Sequence, residues 1–340
     1  MTKKILVIRY RFIGDTLLTV PFLRNLRYAY PDAQIDMLVA PVSGDIIKTC
    51  PYVDNFIYFD TTRKHRYEHE GGKQKTFWSY IKLLKEQNYD KAYVLKRSFS
   101  SAFLAFAAGI KERIGFGTEC RNFLLTQNVP YKNNQHEIEC FLDVLKADGI
   151  QIKDNYLENW LQDEELEKVK SLNLPEGKKV LVHATSGNHK KEWEKEKFAK
   201  IIEYLSNEKN VQVIFAGTKN DSKTYEEIQN LITEKLNVEP INTCGLLSLR
   251  ESAALTKMCD LIVGCDSGNL HIAASVGTPV IGIYGPMDTV KWHAWAKNNI
   301  IIKTDLPCQP CSLKIKCKNN YACLKNITVD SVKQAIDSIL

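Results

Sequence analysis

Residues 3–31 read KKILVIRYRFIGDTLLTVPFLRNLRYAYP. The apolar run 5–8 at its start predicts a buried strand over 5–9. A helix is predicted over 15–30, because the apolar residues that follow recur at helical spacing. Gly14 and Asp15 lie between the two elements. This stretch therefore reads as the first βα unit of an open α/β fold, with a carboxylate at the turn where such folds keep functional groups.

The same alternation of short strands and amphipathic helices continues along the chain. It predicts a parallel sheet with helices on both faces, a doubly wound α/β fold, in each half of the molecule. The first half has strands predicted at 5–9, 34–39, 56–59 and 91–95, and helices at 15–30, 43–50, 76–87 and 100–108. The second half has strands at 180–183, 211–215, 261–263 and 280–283, and helices at 195–206 and 221–236.

Two Rossmann-like domains are predicted, over 1–165 and 175–327, with a polar linker at 162–177. Residues 328–340 form an amphipathic helix that Thr328 or Asp330 can cap. The polar segment 63–72 is interpreted as a mobile loop. Two such domains place a cleft between the carboxyl edges of their sheets, and ligands bind there in folds of this kind.

Composition narrows the classes of function. The chain has 340 residues, of which 44% are hydrophobic and 25% charged, as in a globular protein. The net charge of +6 suits an anionic ligand or an anionic membrane surface, and no nucleic-acid-binding motif accompanies it. No apolar run is long enough to cross a bilayer, and the run 5–8 is too short for a signal peptide. These features predict a cytoplasmic protein.

Gly14 and Asp15 allow two interpretations. Gly14 lets a backbone approach a ligand closely, and Asp15 would then act in catalysis at the turn. Alternatively, Asp15 only caps the helix and interacts with its dipole. A G-x-G-x-x-G fingerprint is absent from the turn, so a dinucleotide cofactor is not indicated.

A second stretch, HATSGNHKKEW at 183–193, follows a predicted strand. Hydroxyls, backbone amides and an ammonium group together make a phosphate site. The alternative is a solvated loop with a run of charge.

The third stretch, GCDSGNLHIAASVGTPV at 264–280, brings Asp266 to the end of a strand. Ser267, Gly268 and the start of the next helix supply donors for an anion, and His271 lies on the first turn. Asp266 or Ser267 as a simple helix cap is the alternative. A second tight turn at the same sheet edge, Tyr284-Gly285-Pro286, favours the binding site.

These stretches resemble glycosyltransferase family 9, the heptosyltransferases of lipopolysaccharide core assembly. The resemblance rests on RYRFIGDTLLTVP (9–21), HATSGNHKKEW (183–193) and DSGNLHIAASVGTPVIGIYGP (266–286), in the expected order. It implies a GT-B fold and an inverting, metal-independent transfer from a nucleotide sugar. ADP-heptose is the best-attested donor of the family, and the acceptor is an anionic glycolipid, the lipopolysaccharide inner core. A peripheral contact with the inner face of the cytoplasmic membrane would follow.

The resemblance also implies roles for individual residues. Asp15 matches the general base, and Asp266 matches the carboxylate that holds the sugar hydroxyls. The loop around Lys191 is one residue longer than in some relatives, so Lys190 can take the place of Lys191. The implied donor-binding residues are Thr185, Ser186, Lys190, Lys191, Asp221 (ribose), Leu247 (adenine), Asp266, Ser267, Gly268 and His271.

Basic residues of the first half are the candidates for binding an anionic acceptor, because guanidinium groups fit carboxylates and phosphates. A solvated basic face is the alternative for each of them. The candidates are Arg9, Arg11, Arg63, Lys64, Arg66, Arg97, Arg113 and Arg121.

Four of the ten cysteines cluster at 308–323 with the spacing C-x2-C-x5-C-x5-C: Cys308, Cys311, Cys317 and Cys323. Four thiols this close in a reducing compartment predict a structural zinc or iron site, with free thiols as the alternative. No catalytic metal is expected. The other six cysteines, Cys50, Cys120, Cys140, Cys244, Cys259 and Cys265, are interpreted mostly as small core residues.

Two other functions stay open at this point: a family 9 glycosyltransferase that acts on a different glycan or on protein, and a non-catalytic sugar-nucleotide-binding homologue. The presence of both Asp15 and Asp266 favours an active enzyme.

Overall fold

A computed structural model describes residues 2–61, 75–311, 313 and 316–340. The chain divides into two compact units, Met1–Trp160 and Leu161–Leu340, called unit 1 and unit 2 below. Segment 63–72, interpreted above as a loop, lies outside the described residues together with Arg63, Lys64 and Arg66.

Unit 1 contains a six-stranded sheet whose strands are all parallel, in the order β3-β2-β1-β4-β5-β6. The strands are β1 (Lys4–Ile8), β2 (Gln34–Val39), β3 (Asn55–Tyr58), β4 (Lys91–Val94), β5 (Glu112–Phe116) and β6 (Gln127–Val129). The helices are α1 (Ile13–Leu17), α2 (Val20–Ala29), α3 (Pro41–Asp45), α4 (Phe77–Gln87), α5 (Phe99–Ala107) and α6 (Glu137–Ala147).

The helix predicted over 15–30 is two helices, α1 and α2. Pro21 has no backbone N–H to donate and lies in the first turn of α2, where that donor is not needed. The first helix also begins earlier than predicted, so Gly14 and Asp15 belong to its first turn.

Unit 2 repeats this architecture with a parallel sheet in the order β12-β11-β10-β7-β8-β9. Its strands are β7 (Lys179–His183), β8 (Gln212–Phe215), β9 (Ile241–Asn242), β10 (Leu261–Cys265), β11 (Val280–Ile283) and β12 (Asn299–Ile302). Its helices are α7 (Asp163–Lys170), α8 (Lys195–Asn207), α9 (Ser222–Gln229), α10 (Leu249–Lys257), α11 (Gly268–Val276), α12 (Thr289–Trp292), α13 (Ala322–Lys325) and α14 (Val329–Asp337).

Segments of unit 2 differ from the predicted elements. The stretch interpreted as a linker begins with α7, which packs on α10. The helix predicted over 221–236 ends at Gln229. The terminal helix α14 is capped by Thr328, whose hydroxyl accepts from Ser331 N at 3.2 Å.

The central strands are buried on both faces, as parallel strands under helices must be. In unit 1, Leu6 and Ile8 face a core that α4 and α5 cover. Ile5 and Val7 point to the other face of the same sheet. Among the described helices, none has the length and apolarity that crossing a bilayer requires.

Candidate functional site

The strand order of unit 2 reverses between β7 and β10, which pair in the middle of the sheet. Loops that leave two such neighbouring strands go to opposite sides and leave a crevice at the carboxyl edge. Thr185 and Ser186 follow β7, and Asp266 and Ser267 follow β10. Two of the predicted stretches, 80 residues apart in the chain at Ser186 and Asp266, therefore meet at one point.

Asp266 is the centre of this meeting point. Its carboxylate, in a residue only 5% exposed, lies 3.1 Å from Lys191 Nζ. The hydroxyl of Ser186 donates to the Asp266 carbonyl oxygen at 2.8 Å, and the Ser186 N–H donates to Glu192 Oε1 at 2.9 Å. The loop after β7 is thus fastened to the end of β10, with an ammonium and a carboxylate side by side.

The two lysines of the loop point to different partners. Asn188 accepts from the backbone N–H of Lys190 and starts a short 3₁₀ turn, His189–Lys191. Lys190 Nζ donates to the Leu313 carbonyl at 2.6 Å. Lys191 Nζ reaches Asp266. The geometry favours Lys191 over Lys190 as the residue that meets a ligand beside Asp266.

The N-terminus of α11 presents donors next to Asp266. Ser267 is the N-cap residue, in an extended conformation, and its side chain makes no capping hydrogen bond. Its buried Oγ has no hydrogen-bond partner within the described part of the chain. Gly268 opens the helix, and the buried His271 lies on its first turn. A helix N-terminus with an unused buried hydroxyl suits an anionic group.

A buried contact beside this helix start was not assigned by the sequence analysis. His183 ends β7, and Asn269 Nδ2 lies 2.9 Å from its Nε2 and 3.0 Å from its Nδ1. Burial lowers the pKa of His183. The contact ties the start of α11 to the end of β7. A pair between a strand end and a helix start has no local signal in the sequence, since the two residues are 86 apart in the chain.

The loops after β8 and β9 lie side by side at the same edge. The Gly245 N–H donates to the Gly217 carbonyl at 3.0 Å. Asp221 Oδ2 accepts from both the N–H and the hydroxyl of Thr218 at 2.7 Å, so the carboxylate already serves as a helix cap. Leu247 is half-buried on the neighbouring loop. The structure brings these two predicted residues to neighbouring loops and gives Asp221 a structural role as well.

In unit 1, Asp15 follows β1, one of the two central strands. Its Oδ1 lies 2.6 Å from the Arg9 guanidinium, and its Oδ2 accepts from the Phe12 N–H at 2.8 Å. The second bond is that of an acid at the third position of a helix, reaching back to the cap residue. The Asp15 side chain is 14% exposed and the Arg9 side chain 6%. Asp15 is thus both a cap and a partly accessible carboxylate.

Lys96, which the sequence analysis did not select, lies near Asp15. It follows β4, the neighbour of β1 at the middle of the sheet. Burial is the main cause that lowers the pKa of Lys96, and the charge of Arg9 lowers it further while Asp15 opposes both. The sequence did contain a signal for Lys96, because this lysine follows β4, the strand beside β1, and Asp15 follows β1.

The candidate acceptor arginines fall into two groups. Arg121 is fully buried, and it donates to the Phe116 carbonyl and to the loop after β4. Burial lowers its pKa to about 10. Arg113 donates to the Leu124 carbonyl at 2.6 Å. Both guanidinium groups hold backbone oxygens, which does not favour a role in acceptor binding. Arg11 and Arg97 make up the second group. Arg11 is half-buried, and Arg97 lies over the Tyr131 ring with its Cζ 4.0 Å from the ring centroid.

The four clustered cysteines lie close enough to interact electrostatically. Burial raises the pKa of Cys323 and the thiols of Cys311, Cys317 and Cys308 raise it further. The Tyr321 N–H donates to Cys317 Sγ at 3.2 Å. Within the described residues, however, no group of three or more His, Cys, Asp or Glu side chains has an arrangement that could hold a metal ion. Of the other six cysteines, four are buried, Cys244 is half-buried and Cys120 is exposed.

Known proteins resemble this chain along most of its length. The family model described as glycosyltransferase family 9 (heptosyltransferase) matches residues 77–322. Lipooligosaccharide heptosyltransferase 2 of Haemophilus influenzae is 30% identical over 295 residues, which cover 83% of this chain and 83% of that protein.

Two solved structures show the same fold. The structure of E. coli ADP-heptose lps heptosyltransferase II superposes with a TM-score of 0.79 at 22% identity, covering 99% of this chain and 98% of that one. The structure of E. coli heptosyltransferase WaaC with ADP gives 0.73 at 18%, covering 99% and 100%. These likenesses confirm the predicted GT-B class with two doubly wound α/β domains.

Proposed function

Since the chain belongs to glycosyltransferase family 9, we propose that it transfers heptose from ADP-heptose to the inner core of lipopolysaccharide. One observation of the structure carries the proposal: Lys191 and Asp266 form a pair beside the unused hydroxyl of Ser267 at the start of α11. A nucleotide sugar needs a cation for its diphosphate and a carboxylate for its sugar hydroxyls, and this edge of unit 2 offers both.

Each donor-site residue takes a part in this proposal. Lys191, Thr185 and Ser186 hold the diphosphate with Ser267, Gly268 and His271 at the helix start. Asp266 accepts from the sugar hydroxyls after Lys191 turns to the phosphates. Asp221 and Leu247, on the loops after β8 and β9, bind the ribose and the adenine.

The chemistry we assign is a single inverting displacement without a metal. The acceptor hydroxyl gives its proton to Asp15 while its oxygen forms a bond to the anomeric carbon of heptose. The bond between that carbon and the phosphate oxygen breaks, and ADP leaves with the electron pair. Lys191 and the N-terminus of α11 stabilise the negative charge that develops on the leaving diphosphate. Arg9, Arg11 and Arg97 are the described basic residues we assign to the anionic acceptor.

The location follows from the acceptor. An enzyme with a glycolipid acceptor must act at a membrane surface, and its nucleotide-sugar donor is found in the cytoplasm. We therefore assign the enzyme to the cytoplasm, peripheral at the inner face of the cytoplasmic membrane.

We also propose a structural metal at the cysteine cluster, although the four thiols are not arranged as its ligands in the described conformation. Four thiolates are a ligand set that zinc and iron both accept. The Tyr321 N–H that donates to Cys317 Sγ, and the Asn319 amide 3.4 Å from Cys308 Sγ, are the kind of hydrogen bonds that orient thiolate ligands. Such a metal would cross-link the segment that carries Leu313, the partner of Lys190, and would take no part in the transfer.

Titration calorimetry of the purified protein with ADP, UDP, GDP and CMP tests the donor. We expect ADP to bind most tightly. Turnover of ADP-heptose is then measured with a heptose-deficient lipopolysaccharide core, with other glycans and with protein acceptors. Transfer only to another glycan or to protein would replace the acceptor proposed here. Nucleotide binding without transfer to any acceptor would favour the non-catalytic homologue.

A further inference from the structure

A row of aromatic rings in contact lies on unit 1, with three rings exposed to solvent and the half-buried Phe103 joining them. Trp78 contacts Phe103, Phe103 stacks on Phe99, and Phe99 contacts Phe123, with ring centroids 6.2, 6.3 and 6.2 Å apart. Trp78 is 68% exposed and Phe123 71%. These four residues are called the aromatic surface below. Adjacent exposed rings of this size are rare on a protein that works without a partner at that place.

Most of the aromatic surface lies outside the core: of its four residues, only Phe103 packs against the core that α4 and α5 cover. On α5, Phe99, Phe103 and Phe106 recur at positions i, i+4 and i+7 and form one stripe, in which Phe99 and Phe106 are exposed and Phe103 is half-buried. The other side of the same helix is already buried in the core through Leu104 and Ala105. The helix is therefore apolar on two sides, and Phe99 and Phe106 on the second side stay exposed.

Basic side chains flank the rings. Lys82 and Lys85 follow Trp78 on the outer face of α4 at i+4 and i+7, and Lys75 precedes the helix; all three are exposed. None of the three lysines forms an ion pair with another residue in the described part of the chain. Two acids lie nearby: Glu86 is exposed on α4, and Glu119 accepts from the Phe99 N–H at 2.9 Å. The local balance is positive.

We propose that the aromatic surface, with Lys75, Lys82 and Lys85, docks unit 1 on an anionic phospholipid membrane. Aromatic rings rest at the boundary between headgroups and acyl chains, and lysines beside them attract anionic headgroups. This inference rests on the proposed function, because the enzyme must reach a glycolipid acceptor in the membrane that holds it.

The charges favour a membrane over a second copy of the chain. In a symmetric dimer the same patch meets itself, so the lysines of one copy would approach those of the other. An anionic lipid surface has the opposite sign and no such repulsion. The net charge of +6 acts in the same direction.

Co-sedimentation with vesicles of phosphatidylglycerol and phosphatidylcholine tests the inference on the full chain. The double variant Trp78→Ala, Phe123→Ala should partition about tenfold or more weakly than the parent. Its melting temperature should stay close to that of the parent, because both side chains are mostly exposed. Tyr28→Ala is the matched control: Tyr28 is 42% exposed on α2, which packs with α6 rather than with α4 and α5.

A second variant tests the contribution of the lysines. Lys82→Gln with Lys85→Gln should weaken binding about tenfold or more to anionic vesicles and abolish most of its salt dependence. Vesicle binding that is equal for the parent and the aromatic variant overturns the inference. Light scattering without vesicles gives a second test. A dimer of the parent that is lost in the aromatic variant also overturns the inference, because the surface would then bind a second copy of the chain.

Failure of the proposed function would look different. Transfer to a delipidated, soluble core oligosaccharide should be unchanged in the aromatic variant. If the parent binds vesicles but turns over no sugar nucleotide, the docking surface stands and the proposed activity falls.

Discussion

Asp15 pairs with Arg9 and caps the first helix in the same conformation, so one carboxylate serves both of the interpretations that its sequence position allowed. The cap uses one oxygen and the ion pair the other. A base needs only one accessible lone pair, and the side chain retains 14% exposure. The two roles are therefore compatible, and only a substitution that separates them can assign the base.

Asp15→Asn is expected to lower turnover by about two to four orders of magnitude, the usual contribution of a positioned base. The asparagine oxygen can still accept from the Phe12 N–H, so the cap survives. The ion pair with the nearly buried Arg9 is lost, and the variant should be less stable by about 2 kcal/mol. Turnover is measured at saturating donor and acceptor, well below the melting temperature.

The control for Asp15→Asn is ADP binding, which unit 2 supplies and which should be unchanged. Activity within a few-fold of the parent would leave Asp15 as a cap alone and remove it from the mechanism.

Lys190 and Lys191 make a matched pair at the donor site. Lys191→Ala should raise the Kd for ADP about tenfold or more, because it removes a charge-assisted hydrogen bond to phosphate. Lys190→Ala removes the bond to the Leu313 carbonyl and should change the Kd little. Calorimetry on both variants compares them directly, and the reverse order of effects would assign the phosphate contact to Lys190.

At the scale of elements, the segment from Cys308 to Cys323 is attached to the loops of the donor site. The Cys311 N–H donates to the Pro286 carbonyl at 2.9 Å, and the Gln309 amide donates to the Gly285 carbonyl at 2.6 Å. With the bond from Lys190 to Leu313, these contacts hold the loops after β7 and β11. These contacts of Gln309, Cys311 and Leu313 should therefore stabilise the proposed donor site without touching the substrate.

Cys308→Ser with Cys311→Ser is expected to remove about one metal ion per chain and to lower the melting temperature. Elemental analysis of protein purified without chelators gives the metal content. Cys120→Ser is the control, because Cys120 is exposed in unit 1, outside the cluster. A parent protein with no metal and four freely reactive thiols would contradict the prediction.

In the reaction proposed for the whole chain, side chains and a helix terminus stabilise the charge of the leaving diphosphate. We assign Lys191, the hydroxyls of Thr185 and Ser186 and the start of α11 to the place that a divalent cation fills in other transferases. The reaction as a whole should then need no added metal.

Excess EDTA is therefore expected to leave the initial rate within about twofold of the untreated enzyme over short incubations. The time is kept short so that a metal held by the cysteines stays bound. Initial rates with EDTA, with magnesium and with manganese are compared in one buffer. A strict requirement for added magnesium or manganese would contradict the proposed chemistry.

Local sequence patterns were enough to predict the class of fold and the stretches that we propose as the donor site. Strand periodicity, Gly-rich turns and helix starts are local features, and parallel strands bring their carboxyl ends to one edge whatever the remaining details. The strands around 5–8, 34–39 and 280–283 were therefore predicted almost to the residue. Four strands were missed: β5, β6, β9 and β12. β6 and β9 are short and partly polar, and their pairing comes from neighbouring strands.

Which residues of those stretches meet depends on how the elements of each unit pack. Lys191 and Asp266 are 75 residues apart, and their pairing depends on β7 lying next to β10. Packing between distant parts of the chain also gives Lys190 and Lys191 different partners. It buries Arg121 beneath the loop after β4 and brings Lys96 near Asp15. Burial and long-range hydrogen bonds depend on how elements pack, and packing is a property of the whole unit that no local pattern contains.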